Sequence, residues 1–492
     1  MNRTYPLAPV WVAAFTLVAG CAGYQEKRRT EPPVAAPPAW SQAELAAGRV
    51  TDAWLDHFDD PDLREIINAA MTENFDLRAA AARVEAARAQ AMIDGADRLP
   101  QISAALNGAR SKRNATGGQA ITSTRSNTFS TGLDIAWEAD IWGRLGDQAR
   151  AAVFELQATE TDLNAARLSL AANIARSWFD AKEGGLLLAL AEQTVSNFEK
   201  NRDTIEEGFR DGINSALEVR LSRANVAGAQ SEIALQRARR NAAVRSLEIL
   251  AGRYPAGKLI PSLDMPAMNR QIPSGIPSEL LNRRPDIAAA EMRLAAADQR
   301  TAQARKNRLP SFRLTASGGT STGEFKDLLD SDFLIYTIAA NLGAPIFQGG
   351  RLRAEQERAA AGADELLATY AQTLLRAFRE VETALSNDRQ LADQEIALRT
   401  AREESIAAEQ LALEQYRAGL VDIITLLEAQ RRSFNSQNSL IQVSTERVRN
   451  RIDLYLALGG NFASDSIAGT RHGSGNSNTL TMIRNSGDET AH

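Results

Sequence analysis

The chain has 492 residues, 44% of them hydrophobic, 24% charged and only 6% aromatic, with a formal net charge of -5. This alanine-rich, aromatic-poor composition favours long, closely packed helices over a bulky core. The acidic balance argues against a general nucleic-acid binder. A single cysteine excludes an intrachain disulfide and a Cys-rich metal site, and three scattered histidines (His57, His472 and His492) do not make a metal centre. No cofactor and no metal is expected.

In chain order, Arg3 and the short apolar run Val10 to Val18 precede Val18-Ala19-Gly20-Cys21. The run is too short to span a bilayer. The segment resembles the lipobox of bacterial lipoproteins, so residues 1–20 are expected as a signal peptide and Cys21 as the lipidated N-terminus. Acyl chains contribute about 0.8 kcal/mol per buried methylene, enough for stable anchoring when two or three are present. The lipoprotein resemblance, with Ala22 after the cysteine, implies sorting to the outer membrane. Residues 21–60, with Pro32-Pro33 and Pro37-Pro38, read as a tether. Beyond the leader there is no run of 18 apolar residues, so a membrane crossing would have to be a closed β-barrel.

Proline is absent between Pro100 and Pro255 and again after Pro345, which leaves room for long helices. Six prolines in residues 255–285 mark a crossover. On either side the sequence repeats at an offset near 207–210: Arg98-Leu99-Pro100 with Arg308-Leu309-Pro310, Gly143-Arg144-Leu145 with Gly350-Arg351-Leu352, and Phe209 to Ile213 with Tyr416 to Leu420. The fold is therefore expected to be a duplication, residues 61–270 and 271–462, followed by a disordered tail at 463–492.

Each unit reads helix, strand pair, long helix, turn, long helix. Phe129, Thr131, Leu133, Ile135 and Trp137 alternate with polar or small residues, as do Phe312, Leu314 and Ala316, and Leu334 to Leu342; Ile102, Ala104 and Leu106 start a weaker fourth run. Such segments suit a transmembrane barrel. Residues 114–127 and 320–332 look like exposed loops. Apolar residues recur every seven positions at Leu156, Leu163 and Leu170, at Leu367, Leu374 and Val381, and from Leu420 through Leu427, Phe434, Ile441 and Val448 to Tyr455. That period implies coiled-coil packing. Gly184-Gly185 is expected to interrupt or bend its helix. Four strands cannot close a membrane barrel, for which about eight is the lower limit. Three copies would supply about twelve.

Trp54 to Leu63, Asn74-Phe75-Asp76-Leu77 and above all Leu280-Leu281-Asn282-Arg283-Arg284-Pro285-Asp286-Ile287 resemble motifs of the TolC superfamily of outer-membrane efflux channels, in its NodT/OprM-like lipoprotein branch. Leu99-Pro100 and Leu309-Pro310 stand where that family usually has Phe-Pro. The resemblance implies a mainly helical, duplicated fold and a homotrimer with a 12-strand outer-membrane β-barrel on a periplasmic coiled-coil α-barrel. It further implies passive export of drugs or other small molecules, with a periplasmic adaptor protein and an inner-membrane transporter of the RND type as partners. A type I protein-secretion duct and a pore-less structural coiled-coil lipoprotein are the alternatives.

No enzymatic motif stands up. Gly252 to Lys258 has Walker A spacing, but Leu259 replaces the magnesium-binding hydroxyl. Asp59-Asp60-Pro61-Asp62 reads as a helix start. The functional candidates sit at the two helical turns. Gly212 and Gly419 should reverse the chain at the periplasmic tip. Related channels meet their adaptor at this turn, so the resemblance implies Gly212, Ile213, Gly419 and Leu420 as adaptor contacts, with the apolar Ile213 and Leu420 the better candidates. By resemblance, Tyr416 and Asp422 fall where related channels constrict, and Glu428 matches an acidic position just above; the competing reading of the acids is helix capping or solvated charge.

Overall fold

The computed structural model describes residues 34–41, 54–117, 120–268 and 277–460. Cys21 and the 463–492 tail, and with them the lipidation and disorder expected there, lie outside the described residues.

The first repeat runs α1 (Pro61–Glu73), α2 (Phe75–Ala96), β1 (Gln101–Gly117), β2 (Ala120–Ala139), α3 (Arg144–Arg210) and α4 (Ala216–Leu250). After the crossover and a four-residue helical turn at Leu280–Arg283, the second runs α5 (Pro285–Lys306), β3 (Ser311–Thr322), β4 (Leu334–Gly343), α6 (Arg351–Arg417) and α7 (Ile423–Ala457). α3 and α6 have 67 residues each and α4 and α7 have 35 each. At 1.5 Å per residue the long helices extend about 100 Å. Among the described residues no helix is long and apolar enough to cross a membrane.

Both repeats close in the same way. Asn74 caps α2 by accepting from the Leu77 amide at 3.0 Å, and its Nδ2 donates to the carbonyl of Leu250, the last residue of α4, at 2.9 Å. In the second repeat Arg284 takes that place: its guanidinium donates to the carbonyl of Ala457, the last residue of α7, and to Asp286 and Glu380. Just beyond each helical hairpin, Gly252 and Gly459 have φ of 74° and 67°. A Cβ at Gly252 would meet the Glu73 carbonyl oxygen at 2.7 Å and one at Gly459 the Arg283 backbone at 3.0 Å. Only glycine permits both the left-handed backbone and this approach.

The turn after Gly252 is a nest of backbone amides, and the protein fills it with its own carboxylate. Glu248 accepts from Gly257, Lys258 and Leu259 at 2.6, 2.8 and 3.2 Å. Burial pushes its carboxyl up, but these three donors hold it below the ordinary range. Nothing remains there for a phosphate. Asp60 does start a helix: it accepts from the Leu63 amide at 3.1 Å with Pro61 in the first turn. Its other oxygen accepts from Trp178 Nε1 at 2.8 Å and from Lys182 Nζ at 2.7 Å, and Lys182 also donates to the Asp264 carbonyl at 2.8 Å. This buried clasp joins the N-terminal segment, α3 and the crossover. Within the expected tether, Trp40 is buried against Phe378, and Trp54 stacks on Tyr455.

Three expectations need correction. α3 runs unbroken through Gly184 and Gly185. These glycines serve proximity, not bending: a Cβ on Gly184 would lie 2.9 Å from Arg240 Cα in α4, and one on Gly185 would lie 2.5 Å from Leu263 of the crossover. The stretch 114–127 is also not a loop, because β1 and β2 continue as a paired hairpin to Gly117 and Ala120. In the second repeat the strand ends at Thr322, and two short 3-10 turns precede β4.

The seven-residue period is present, but the fully buried line on lower α7 is Ile423, Leu426, Gln430 and Ser433, one residue off the expected Leu427 and Phe434. Small Ser433 suits close helix contact. The bulkier Leu427 and Phe434 line an apolar groove with Ala191, Phe198 and Leu221.

The four strands form one antiparallel sheet in the order β1-β2-β3-β4. The register puts Ile102 opposite Ile135, Ile135 opposite Ala316, and Ala316 opposite Ile338. One face therefore carries the apolar residues of all four strands, and Ile102, Leu106, Tyr336, Ile338 and Leu342 are exposed on it. The other carries Ser103, Asp134, Ser317 and Thr337 in one row.

Candidate functional site

The site is the pair of turns where the long helices reverse. Both are Schellman motifs. In the first, the Ile213 amide donates to the Gly208 carbonyl at 2.7 Å and the Gly212 amide to Phe209 at 3.2 Å. In the second, Leu420 donates to Gln415 at 2.9 Å and Gly419 to Tyr416 at 3.0 Å. Gly212 and Gly419 have φ of 77° and 72°, which explains glycine at both positions.

A Schellman turn usually packs its last apolar residue against the position five before it. Here those positions are Gly208 and Gln415, which offer no apolar surface. Ile213 and Leu420 are accordingly 80% and 74% exposed, joined by Leu217 and Ile424 one turn further on. Sequence reading named Ile213 and Leu420; Leu217 and Ile424 were missed, although the 207-residue offset relates them to each other.

Each following helix is capped. Ser215 and Glu218 form a reciprocal capping box on α4. Asp422 caps α7, accepting from the Thr425 amide at 2.8 Å and the Thr425 hydroxyl at 2.7 Å. These bonds hold its carboxyl below the ordinary range, while the side chain stays exposed. Glu428 is held low by Arg431 and Arg432, at 2.8 and 2.9 Å. Both acids thus do the local work of the capping and surface-charge reading.

Tyr416 joins the two turns. Its hydroxyl accepts from Asn214 Nδ2 at 2.8 Å and donates toward Glu218 Oε1 at 3.4 Å. Burial first, then the Glu218 charge, push its hydroxyl above the ordinary tyrosine range. The ring packs on a small core of Ile205, Val219, Ala412, Ile423 and Leu426 drawn from all four helices. The Ser215-x-x-Glu218 box was missed, although its spacing is a capping signal; Asn214 carries no such signal, because its partner lies 202 residues away.

Among the described residues no group of three His, Cys, Asp or Glu is placed to hold a metal ion. What the geometry presents instead is an apolar membrane-type sheet at one end, long paired helices, and an apolar tip with a cross-linked waist.

The family model for outer membrane efflux proteins matches residues 66–253 and 276–460. The pyoverdine export outer membrane protein OpmQ of Pseudomonas aeruginosa is 35% identical over 457 residues, covering 88% of this chain and 92% of that protein. Outer membrane protein OprJ of the same species is 34% identical over 434 residues, covering 87% and 91%. The solved structure of the outer-membrane channel OprN matches with a TM-score of 0.82 at 29% identity, over 88% of this chain and 98% of that one. The chain therefore belongs to the outer membrane efflux protein family, within the TolC superfamily, as a channel subunit and not an enzyme.

Proposed function

We propose that three copies of this subunit close a twelve-stranded barrel in the outer membrane on top of a periplasmic barrel of coiled helices, and that drugs or other small molecules leave through it. The supporting observation is the open sheet. β1 and β4 are both edges, and the sheet bears an exposed apolar face. Unpaired backbone groups cannot be left in lipid, so the edges must pair with those of other copies. Three copies give twelve strands, above the lower limit for a membrane barrel.

Export needs an energy source that a passive duct lacks. An inner-membrane transporter of the RND type, linked by a periplasmic adaptor, would supply it. The adaptor is proposed to cover Ile213, Leu217, Leu420 and Ile424, whose exposure at a turn calls for an apolar partner. Asp422, present three times around the tip, would form an acidic ring at the aperture that attracts cations. Tyr416 would hold the aperture narrow, and Glu428 would lie just above. Cys21, acylated, would add a lipid anchor that the barrel does not require.

Reconstitution of the purified protein in planar bilayers tests the duct, with reproducible channels from a trimer as the expected result. Well-folded trimers that never conduct would reject it. Ile213→Asp with Leu420→Asp should abolish adaptor crosslinking at the tip while trimers and conductance persist. Mass spectrometry of the mature N-terminus should find acyl chains on Cys21; an unmodified thiol would reject the anchor.

A further inference from the structure

The apolar face of the sheet has a measurable height and a charged rim. Along β2 it runs from Ala139 to Phe129, ten residue steps. At about 3.3 Å per residue and a tilt near 40°, that is about 25 Å, the height of an outer-membrane apolar band. Aromatics mark both edges. Trp137 and Trp142, with indole N–H groups bonded to Arg98 and Pro310 carbonyls, lie at the helix end. Phe129 against Phe325 lies at the far end, ring centroids 5.6 Å apart.

Beyond Phe129 the same face becomes basic. The register sets Gly108 opposite Phe129, Arg110 opposite Asn127, and Lys112 opposite Arg125. Steps of two residues keep a strand's side chains on one face, so Arg110, Lys112 and Arg125 share the face that carries Ile102, Leu106 and Leu133. All three are exposed. Among the described residues none of them has an anionic partner, whereas Arg144 and Arg313 at the other end of the sheet share Glu138. Lys112 directly opposite Arg125 is a like-charge cross-strand pair, which destabilises a bare hairpin. The second hairpin ends before this level and has no counterpart.

We propose that Arg110, Lys112 and Arg125 form a binding site for the phosphate groups of anionic lipid in the outer leaflet. The site begins about two residues above the apolar band and ends about four above it, roughly 5–10 Å in height, where lipid headgroups meet the barrel wall. An Arg-Lys-Arg triangle supplies charge-assisted hydrogen bonds to phosphate oxygens and relieves the repulsion of the opposed pair. The acyl chains of the same lipid would run down over Leu106, Leu133 and Ile102. The site rests on the barrel reading above.

The test uses the detergent-purified full-length trimer. It measures retention of a diphosphorylated glycolipid and of its dephosphorylated form with the same acyl chains, by native mass spectrometry. Wild type should retain the phosphorylated lipid about tenfold better, and Arg110→Gln with Lys112→Gln and Arg125→Gln should erase that preference. Arg125→Gln alone should weaken retention several-fold while leaving lipid-free thermal stability unchanged or raised, because it removes the opposed pair. Arg113→Gln, on the other face, should change nothing. Equal retention of both lipids by wild type would overturn the site. So would displacement of the lipid by an equal concentration of inorganic phosphate, or dissociation of the triple variant into monomers with lipid still bound. Wild-type trimers that conduct normally but retain both lipids equally would reject the site and leave the channel standing.

Discussion

In the first repeat the long helix has 67 residues and its partner 35, and the second repeat has the same two lengths. The strands between them differ: 17 and 20 residues in the first hairpin, 12 and 10 in the second. The helices of both repeats share one packed core at the tip, so a length change in either would lift one turn out of register with the other. The strand ends, beyond the apolar band, meet no such demand. The tips differ in one hydrogen-bonded pair. Tyr416 and Phe209 correspond at the 207-residue offset, as do Asn214 and Val421. The Tyr416 hydroxyl reaches Asn214, but Phe209 has no hydroxyl and Val421 no polar side chain. The latch between the repeats is therefore one-way.

The sharpest way to break the equivalence is at Lys182. Lys182→Ala leaves the Asp60 carboxylate without its counter-charge in a buried site, with only the Leu63 and Trp178 donors, and should cost about 3 kcal/mol or more in chemical unfolding. Arg389, the corresponding residue of α6, is exposed, and Arg389→Ala should stay within about 0.5 kcal/mol. Similar losses from both would show that the clasp carries no special weight. Burial pushes the Asp60 carboxyl up, but Lys182, the Leu63 amide and Trp178 together hold it below the ordinary range. Its contribution is thus present above about pH 4 and lost as the pH falls through the lower folded value. Without Lys182 the acid-induced loss should begin at higher pH.

A smaller effect is expected where α3 meets α4. Gly184→Leu forces a side chain into Arg240 and should destabilise by about 2–3 kcal/mol. The second repeat already has leucine at the corresponding position, Leu391, and Leu391→Gly should cost only about 1–2 kcal/mol. Melting temperatures of the two variants decide whether the repeats really differ in helix spacing there.

The smallest effect concerns the latch. Tyr416→Phe should free the tip by about 1 kcal/mol, read as faster hydrogen exchange at Ile213 and Asn214 and as higher single-channel conductance. Phe209→Tyr should add nothing. Because the Tyr416 hydroxyl is held above the ordinary range, the latch is intact below about pH 10 and lost as the pH rises through the folded value. Alkaline opening in wild type and a flat response in Tyr416→Phe is the expected pair of profiles.

Much of this was legible in the sequence. The internal offset, the proline-free stretches, the period-two runs and the Gly-centred turns each follow from local backbone chemistry, and each maps onto an observed element. The glycine pair at 184–185 misled because glycine has two uses: a weak point within one helix, or clearance between two. Only the position of Arg240 separates them. The polar run 114–127 misled because a strand beyond the membrane band has no reason to alternate. Its pairing is set by the partner strand, not by an apolar face.

The sequence by itself determined the duplication, because the two halves repeat the same short motifs, and the order of elements and the apolar face of each strand, because these depend on residues within a few positions of one another. Tertiary structure decided which sequence-distant groups meet. Tyr416 with Asn214, Lys182 with Asp60, and Arg284 with the end of α7 are separated by 202, 122 and 173 residues. No spacing rule reaches that far, because such contacts are fixed by how whole helices pack and not by the backbone geometry of either segment.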